Sequence, residues 1–323
     1  MRLSGTILTF ALRRLALALV TLWLLSVIVF LGGQLLPGDV GRAVLGPLAD
    51  ARAVAHFNHE IGADQPLPVQ YWRWISHFAI GDMGTSFVFR APVGPFVVQA
   101  TANSLKLAAL AFLITVPLGI AAGVFAALRQ DRWIDKTIVV VGQTLGVVPE
   151  FISAIVLILL VGIGLHWLPM SAEWPDGAGP LTQVKYLILP SLPLTVSFFG
   201  YIARVTRAGT VDALNADYTR TAVLKGLPWR VVLFRHVLRN ALPPVVTVSA
   251  SLIGYLTGGL VVVETLFHYR GVGSLIFTAA KAKDFPMLEA GVLVVGLLFV
   301  LASIVADAIG LALNPRLQMR TSK

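Results

Sequence analysis

The 323-residue chain contains no cysteine. Disulfides, thiolate nucleophiles and cysteine-ligated metal sites are therefore excluded, and cysteine usage gives no information about compartment. Charge is also scarce. Asp, Glu, Lys and Arg make up 13% of the residues, against roughly 25% in soluble domains. Acids are the scarcer sign, with 16 Asp and Glu against 25 Lys and Arg. The rest is largely apolar: 57% of the residues are hydrophobic and the mean hydropathy is +0.82. Such a chain belongs in lipid. Its formal charge of +9 would suggest nucleic acid for a soluble protein. Here it reads as basic cytoplasmic loops, and no nucleic-acid partner is expected. No Gly-x-x-x-x-Gly-Lys-Ser/Thr sequence occurs, so the chain has no phosphate-cradling loop of that kind.

A helix crosses the hydrocarbon core with about 20 apolar residues. Six stretches qualify: 10–32, 102–128, 138–165, 186–206, 242–264 and 288–312. The fourth is interrupted by Pro190 and Pro193. Arg2, Arg13 and Arg14 precede the apolar run of the first stretch, Leu15 to Leu31. That run is longer than a signal-peptide core and lacks a small-residue cleavage site, so it reads as a retained transmembrane helix. Basic residues fix the orientation. They concentrate in the N-terminal tail, the 129–137 turn, the 204–241 loop and the C-terminal tail. Asp39, Asp50, Glu60, Asp64, Asp82, Glu173, Asp176, Asp284 and Glu289 fall on the opposite side. The expected architecture is all-α with six spans and both termini cytoplasmic. Its parts are 1–32 (tail and first span), 33–99 (an extracytoplasmic segment), 100–313 (a five-helix core containing the loop 207–241) and 314–323 (a cytoplasmic tail).

Within 33–99, Ala49 to Ile61 has a helical pattern, and Tyr71, Trp72, Trp74 and Phe78 suggest an interfacial helix started by Pro66 and Pro68. The run His56-Phe57-Asn58-His59-Glu60 matches neither zinc-protease order, so no metal is expected. Gly119/Gly123, Gly142/Gly146 and Gly254/Gly258 are GxxxG pairs that permit close helix approach.

The most informative stretch is DYTRTAVLKGLPWRVVLFRHVLRNALP, Asp217 to Pro243. It is basic and lies between two apolar runs. Val211, Leu214, Tyr218 and Ala222 form one stripe of a short helix over 211–225. Gly226 is placed to cap that helix in the left-handed conformation, with Pro228 preventing continuation. A second helix starts near Trp229, its apolar face being Val231, Phe234, Leu238 and Leu242, and Leu242–Pro243 closes the segment. Composition alone also permits a basic amphipathic loop lying on anionic lipid.

The detailed spacing resembles the EAA loop of binding-protein-dependent ABC permeases. Thr221-Ala222, Gly226 and His236-Val237-Leu238-Arg239-Asn240-Ala241-Leu242-Pro243 carry the resemblance. Arg220 stands where the family usually has Glu, and Pro228 and Trp229 are less typical. Leu36-Pro37-Gly38-Asp39, Asp64-Gln65-Pro66 with Gln70-Tyr71, and Gly81-Asp82-Met83-Gly84-Thr85-Ser86 also look like the family. So do Glu264-Thr265-Leu266-Phe267 with Gly271-Val272-Gly273, Asp284-Phe285-Pro286, and Asn314-Pro315-Arg316. The ordered set is similar to the B-type permeases of dipeptide, oligopeptide and nickel importers.

The resemblance implies a type I ABC importer permease in a bacterial inner membrane, forming half of a pathway for peptides or peptide-like solutes. A second homologous permease, two ATPase subunits and an extracytoplasmic solute-binding protein would be its partners, with lipid around it. ATP and Mg would be bound by the ATPases, leaving this chain without cofactor or catalytic residues. The coupling residues would be Asp217, Tyr218, Arg220, Thr221, Ala222, Lys225, Gly226, Arg235, His236, Arg239, Asn240 and Pro243. Among acids in or beside the spans, Glu150 reads as cavity-facing or as structurally paired. Asp307 reads as paired with a basic residue or capping a helix. Glu264 reads as lining the outer mouth or as structural. The rival class is an ion- or proton-coupled secondary transporter using Glu150 and Asp307. It predicts internal symmetry, which the sequence does not display, and it leaves the basic loop without a role.

Overall fold

A computed structural model of the chain describes residues 2–35, 40–46, 48–258 and 260–313. The Leu36–Asp39 and Asn314–Arg316 motifs and the 314–323 tail lie outside the described residues. Helices dominate: α1 (Arg2–Leu35), α2 (Val40–Leu45), α3 (Ala51–Ile61), α4 (Leu67–Ala79), α5 (Val93–Leu128), α6 (Trp133–Val147) and α7 (Glu150–Leu157). A π-helical turn over Ile158–Gly164 extends α7. Then come α8 (Pro180–Asn215), α9 (Asp217–Leu224) and α10 (Trp229–Val231), and a second π-helical stretch, Val232–Leu238, which leads into α11 (Arg239–Gly258). The chain continues with α12 (Val261–Leu266), α13 (Val272–Ala282) and α14 (Phe285–Leu313).

Among the described residues, five helical stretches are long and apolar enough to cross a membrane: 12–34, 93–128, 180–215, 229–256 and 285–313. The sixth expected span is a broken one. Residues 133–147 and 150–164 meet at a bend of 104°, because Val148 and Pro149 adopt extended backbone angles that no helix can contain. The fourth span is not weakened by its prolines. α8 runs unbroken through Pro190 and Pro193, and the hydroxyls of Ser191, Thr195 and Ser197 donate to the carbonyls of Ile188, Ser191 and Pro193. Side-chain hydroxyls commonly serve the backbone in this way around proline. The second span starts at Val93, inside the segment read as 33–99. The fifth ends near Leu256 and is followed by the separate α12.

Lipid provides no hydrophobic drive between helices, so close contact needs small side chains. α8 supplies the central seam. A Cβ on Gly119 of α5 would lie 2.6 Å from the Ile202 side chain, and one on Gly123 would lie 2.4 Å from the Ala203 carbonyl oxygen. α6 approaches α8 still more closely: a Cβ on Gly200 would sit 2.0 Å from the Gly142 carbonyl oxygen. Two of the three GxxxG pairs thus mark tight crossings. Gly254 instead makes ordinary contact with Phe299 and Ala302. α1 and α14 are mostly exposed apolar surface, as lipid-facing helices should be.

At one end of the bundle the expected outer elements pack together. α4 starts after Pro66, as predicted, and its Tyr71 and Trp74 stack around Phe30 of α1, with ring centroids 5.4 and 6.0 Å apart. His59 Nδ1 hydrogen-bonds the Asp64 carboxylate at 2.7 Å, a pair that is ionic when the imidazole is protonated, and this hydrogen bond holds the imidazole pKa above its ordinary value. Two motifs far apart in sequence meet here. The buried Asp284 carboxylate accepts from the Ser86 hydroxyl and, at 3.1 Å, from the Phe87 N–H. The Gly81–Ser86 loop is thereby fastened to the start of α14.

Candidate functional site

The basic loop forms a folded unit at the other end of the bundle. α8 continues to Asn215, so the short helix begins after Ala216, whose ψ of 148° breaks the path. It spans Asp217–Leu224, shorter than the expected 211–225. The break leaves the Ala213 carbonyl without its helical partner, and the Thr219 hydroxyl donates to it at 2.7 Å. Asp217 sits in the first turn of α9, where a carboxylate complements the helix N-terminus. The Thr221 hydroxyl donates to the Asp217 carbonyl at 2.8 Å. Lys225 ends the helix, and Gly226 follows at φ 73°. This is the left-handed cap its position predicts.

The second helix starts at Trp229 as expected, but its buried face differs. Val232, Val237 and Ala241 are buried together with Ala213 and Ala222, whereas Val231, Phe234 and Trp229 are exposed. The π-helical turn is the cause. Its i→i+5 bonding brings Val232 and Val237 onto one side, and Ala241 and Val245 then follow at normal helical spacing. Pro243 does not close the segment, because α11 runs through Pro243 and Pro244. Asn240 Nδ2 donates to the His236 carbonyl at 2.7 Å, adding a side-chain donor close to where the prolines remove backbone ones. Gly209 lets α8 touch this helix directly: a Cβ there would meet the Ala241 carbonyl oxygen at 2.8 Å.

The unit therefore has two faces. Small residues tie its inner face to α8 and α11. The outer face exposes Tyr218, Val223, Leu224, Leu227, Trp229 and Phe234, with Leu224 79% and Phe234 67% exposed. Arg220, Lys225, Arg230, Arg235 and Arg239 are exposed around them, while His236 is half-buried and Ala222 buried. The expected stripe of Val211, Leu214, Tyr218 and Ala222 is thus only partly inward-facing, since Tyr218 points outward and Thr219 is buried in its place.

Sequence reasoning missed an ion pair beside this unit. The Arg207 guanidinium of α8 grips the Asp135 carboxylate with two bonds, at 2.5 and 2.6 Å. Asp135 is 2% exposed and also accepts the Asp131 N–H at 2.9 Å. The only available signal was an acid and a base in separate loops expected on the same side. Removing the carboxylate should be costly because the arginine loses a forked partner. Arg207 keeps some solvent contact, so the expected cost of Asp135→Ala is about 2 kcal/mol, below the roughly 3–5 kcal/mol for a fully buried pair. Thermal unfolding in nanodiscs measures it, and an unchanged midpoint would refute it.

The three acids separate in character. Asp307 pairs with Arg14 of α1 at 2.7 Å, the structural alternative. Glu264 is fully buried. Its carboxylate accepts from the Ser104 hydroxyl and, at 3.0 Å, from the Ser274 N–H. A Cβ on Gly271 would collide with it, so the Gly271-Val272-Gly273 turn is wrapped around this carboxylate. Glu264 has no exposed surface in the chain, which argues for the structural alternative over the outer-mouth one. Glu150 is half-buried at the first residue of α7, at the broken span's bend. It lies within electrostatic range of Tyr255, whose ring meets Phe198 edge-on at 4.8 Å.

Fold and site together define a polytopic, helical membrane protein with a folded basic loop at one end. Residues 119–319 match the family described as binding-protein-dependent transport system inner membrane component, and residues 7–108 match its N-terminal counterpart. The chain belongs to this family, the permeases of binding-protein-dependent ABC importers. It is 37% identical over 319 residues to the glutathione transport system permease protein GsiC of Salmonella paratyphi A, covering 97% of this chain and 100% of that protein. The Escherichia coli (strain K12) protein of the same name is 36% identical over 318 residues, with the same coverage. The chain is thus a multi-pass permease of the bacterial inner membrane with the type I ABC permease fold, not itself an enzyme. The secondary-transporter alternative is not favoured.

Proposed function

We propose that this chain forms half of an import pathway for peptides or peptide-like solutes and is driven through the unit spanning residues 207–241. The observation that carries this reading is the two-faced unit. Its inner face is fixed to α8 and α11, while its outer face is apolar with a basic rim, the surface expected of a part that docks into a soluble partner. Two ATPase subunits would receive this loop and its counterpart on a second permease. They would bind ATP and Mg, and a solute-binding protein would deliver substrate from the other side. The relatives named for glutathione transport support a small peptide-like substrate. In this reading the loop is cytoplasmic and 33–99 is extracytoplasmic, as the basic residues indicate. Asp217, Tyr218, Arg220, Thr221, Lys225, Arg235, His236, Arg239 and Asn240 contact or shape the docking surface. Ala222, Gly226 and Pro243 set its geometry.

The chain has no cysteine, so a cysteine introduced at Leu224 is the sole thiol it carries. In the assembled transporter it should crosslink to an ATPase subunit. Labelling of that position from outside the cell only, or ATP-independent uptake by the purified chain, would overturn the reading.

Glu150 is proposed to face the pathway and meet a cationic group of the substrate. Glu150→Gln is expected to lower uptake by on the order of 1.5–3 kcal/mol in transition-state terms, as for one lost charge-assisted contact. Basal ATP hydrolysis should stay near normal. Uptake kinetics unchanged for both cationic and neutral probes would assign Glu150 a structural role.

A further inference from the structure

A cavity of about 350 Å³ opens at the end of the bundle opposite the basic loop. Four segments build it: the first turns of α5, the 165–179 connection before α8, the start of α8 at Gln183, and the turn after α12. Backbone and side-chain bonds hold them in register. The Ala172 N–H donates to the Phe267 carbonyl at 2.7 Å. The Tyr269 hydroxyl donates to the Asn103 carbonyl at 2.8 Å, and Asn103 Nδ2 donates to the Arg270 carbonyl at 2.9 Å. Trp174 packs on Tyr269 with ring centroids 5.9 Å apart. The cavity is therefore preformed by rigid contacts.

Its charges are mixed. Arg270 and Glu173 satisfy each other at 3.2 Å. Lys106 and Asp176 also line the cavity, and neither forms an ion pair among the described residues. A wall offering one unpaired cation and one unpaired anion, in a volume at the lower end of small-molecule sites, suits a small solute carrying both charges. We propose that the cavity binds the charged termini of a short peptide or peptide-like zwitterion, with Lys106 taking a carboxylate and Asp176 an ammonium group. This inference deepens the importer reading and rests on it for the direction of transport.

The test uses the permease pair with its ATPases in nanodiscs, without binding protein, and calorimetric titration with trialanine, trialanine amide and N-acetyl-trialanine. Trialanine should bind about tenfold more tightly than either capped form, the scale of one charged contact. Lys106→Gln should abolish discrimination against the amide alone, and Asp176→Asn discrimination against the acetyl form alone. Both side chains are exposed, so neither change should disturb folding, which unchanged basal ATP hydrolysis checks. Absence of trialanine binding, equal affinity for the three probes, or discrimination unaffected by both substitutions would overturn the proposal. ATP-dependent uptake of trialanine and of glutathione with binding protein is measured in parallel. Its absence beside discriminating trialanine binding refutes the importer reading alone, and its presence beside indifferent binding refutes the cavity alone.

Discussion

Gly226→Val should leave the permease inserted and assembled while transport and substrate-stimulated ATP hydrolysis both fall. The residue adopts φ 73°, and a Cβ there would meet nothing within 4 Å. The penalty therefore comes from the backbone and not from crowding. A β-branched residue in the left-handed region is a strong outlier, costing about 1–3 kcal/mol. The chain can relieve that strain by changing the turn between α9 and Trp229, which moves the docking face relative to its buried anchors. Gly226→Asn, which tolerates the left-handed region far better, should retain most activity. Crosslinking from a cysteine at Leu224 reports the position of α9 directly. Normal stimulated hydrolysis in the valine variant would refute the assignment of this turn.

The second large effect is expected at Gly200. A Cβ there would lie 2.0 Å from the carbonyl oxygen and 2.2 Å from the carbonyl carbon of Gly142. Those are backbone atoms and cannot swing aside as a flexible side chain would. Gly200→Ala should force α6 away from α8, at a cost of about 3 kcal/mol or more, the upper range for overpacking. The measurable result is a lowered thermal midpoint and reduced yield of assembled transporter. Gly94→Ala is the control, since a Cβ there meets nothing within 4 Å. If both variants unfold alike, the close crossing of α6 and α8 is not what holds these helices together.

Both predictions concern glycines, and the two were not equally visible. Gly226 was legible because a left-handed cap between an amphipathic pattern and a proline is a local signature. Gly200 belongs to no GxxxG pair, and its partner lies on another helix. The spans were legible as apolar runs, but their ends were not. Hydropathy does not register where a helix leaves lipid, so α8 extends well beyond 186–206 at both ends. The broken third span was hidden for the same reason: Val148-Pro149 interrupts the backbone without interrupting the apolar run. The inner face of the second loop helix was misread because a 3.6-residue period was imposed on a π-helical turn. The Ser86–Asp284 contact joins residues 198 apart, and only the folded chain brings those two motifs together.

The unbroken length of α8 has a mechanical consequence. Its 36 residues make a rod of about 54 Å at the usual rise per residue. One end runs into the docking unit, where α9 follows it across the single residue Ala216. The other end begins at Pro180 and carries Gln183 into the wall of the outer cavity. Pivoted at the glycine crossings near its middle, such a rod displaces each tip by about 5 Å for a tilt of about 10°, from half its length. A modest rotation of the docking unit would thus be delivered across the bilayer as a lever stroke. The fulcrum is fixed by Gly142 and Gly200, residues that touch neither end.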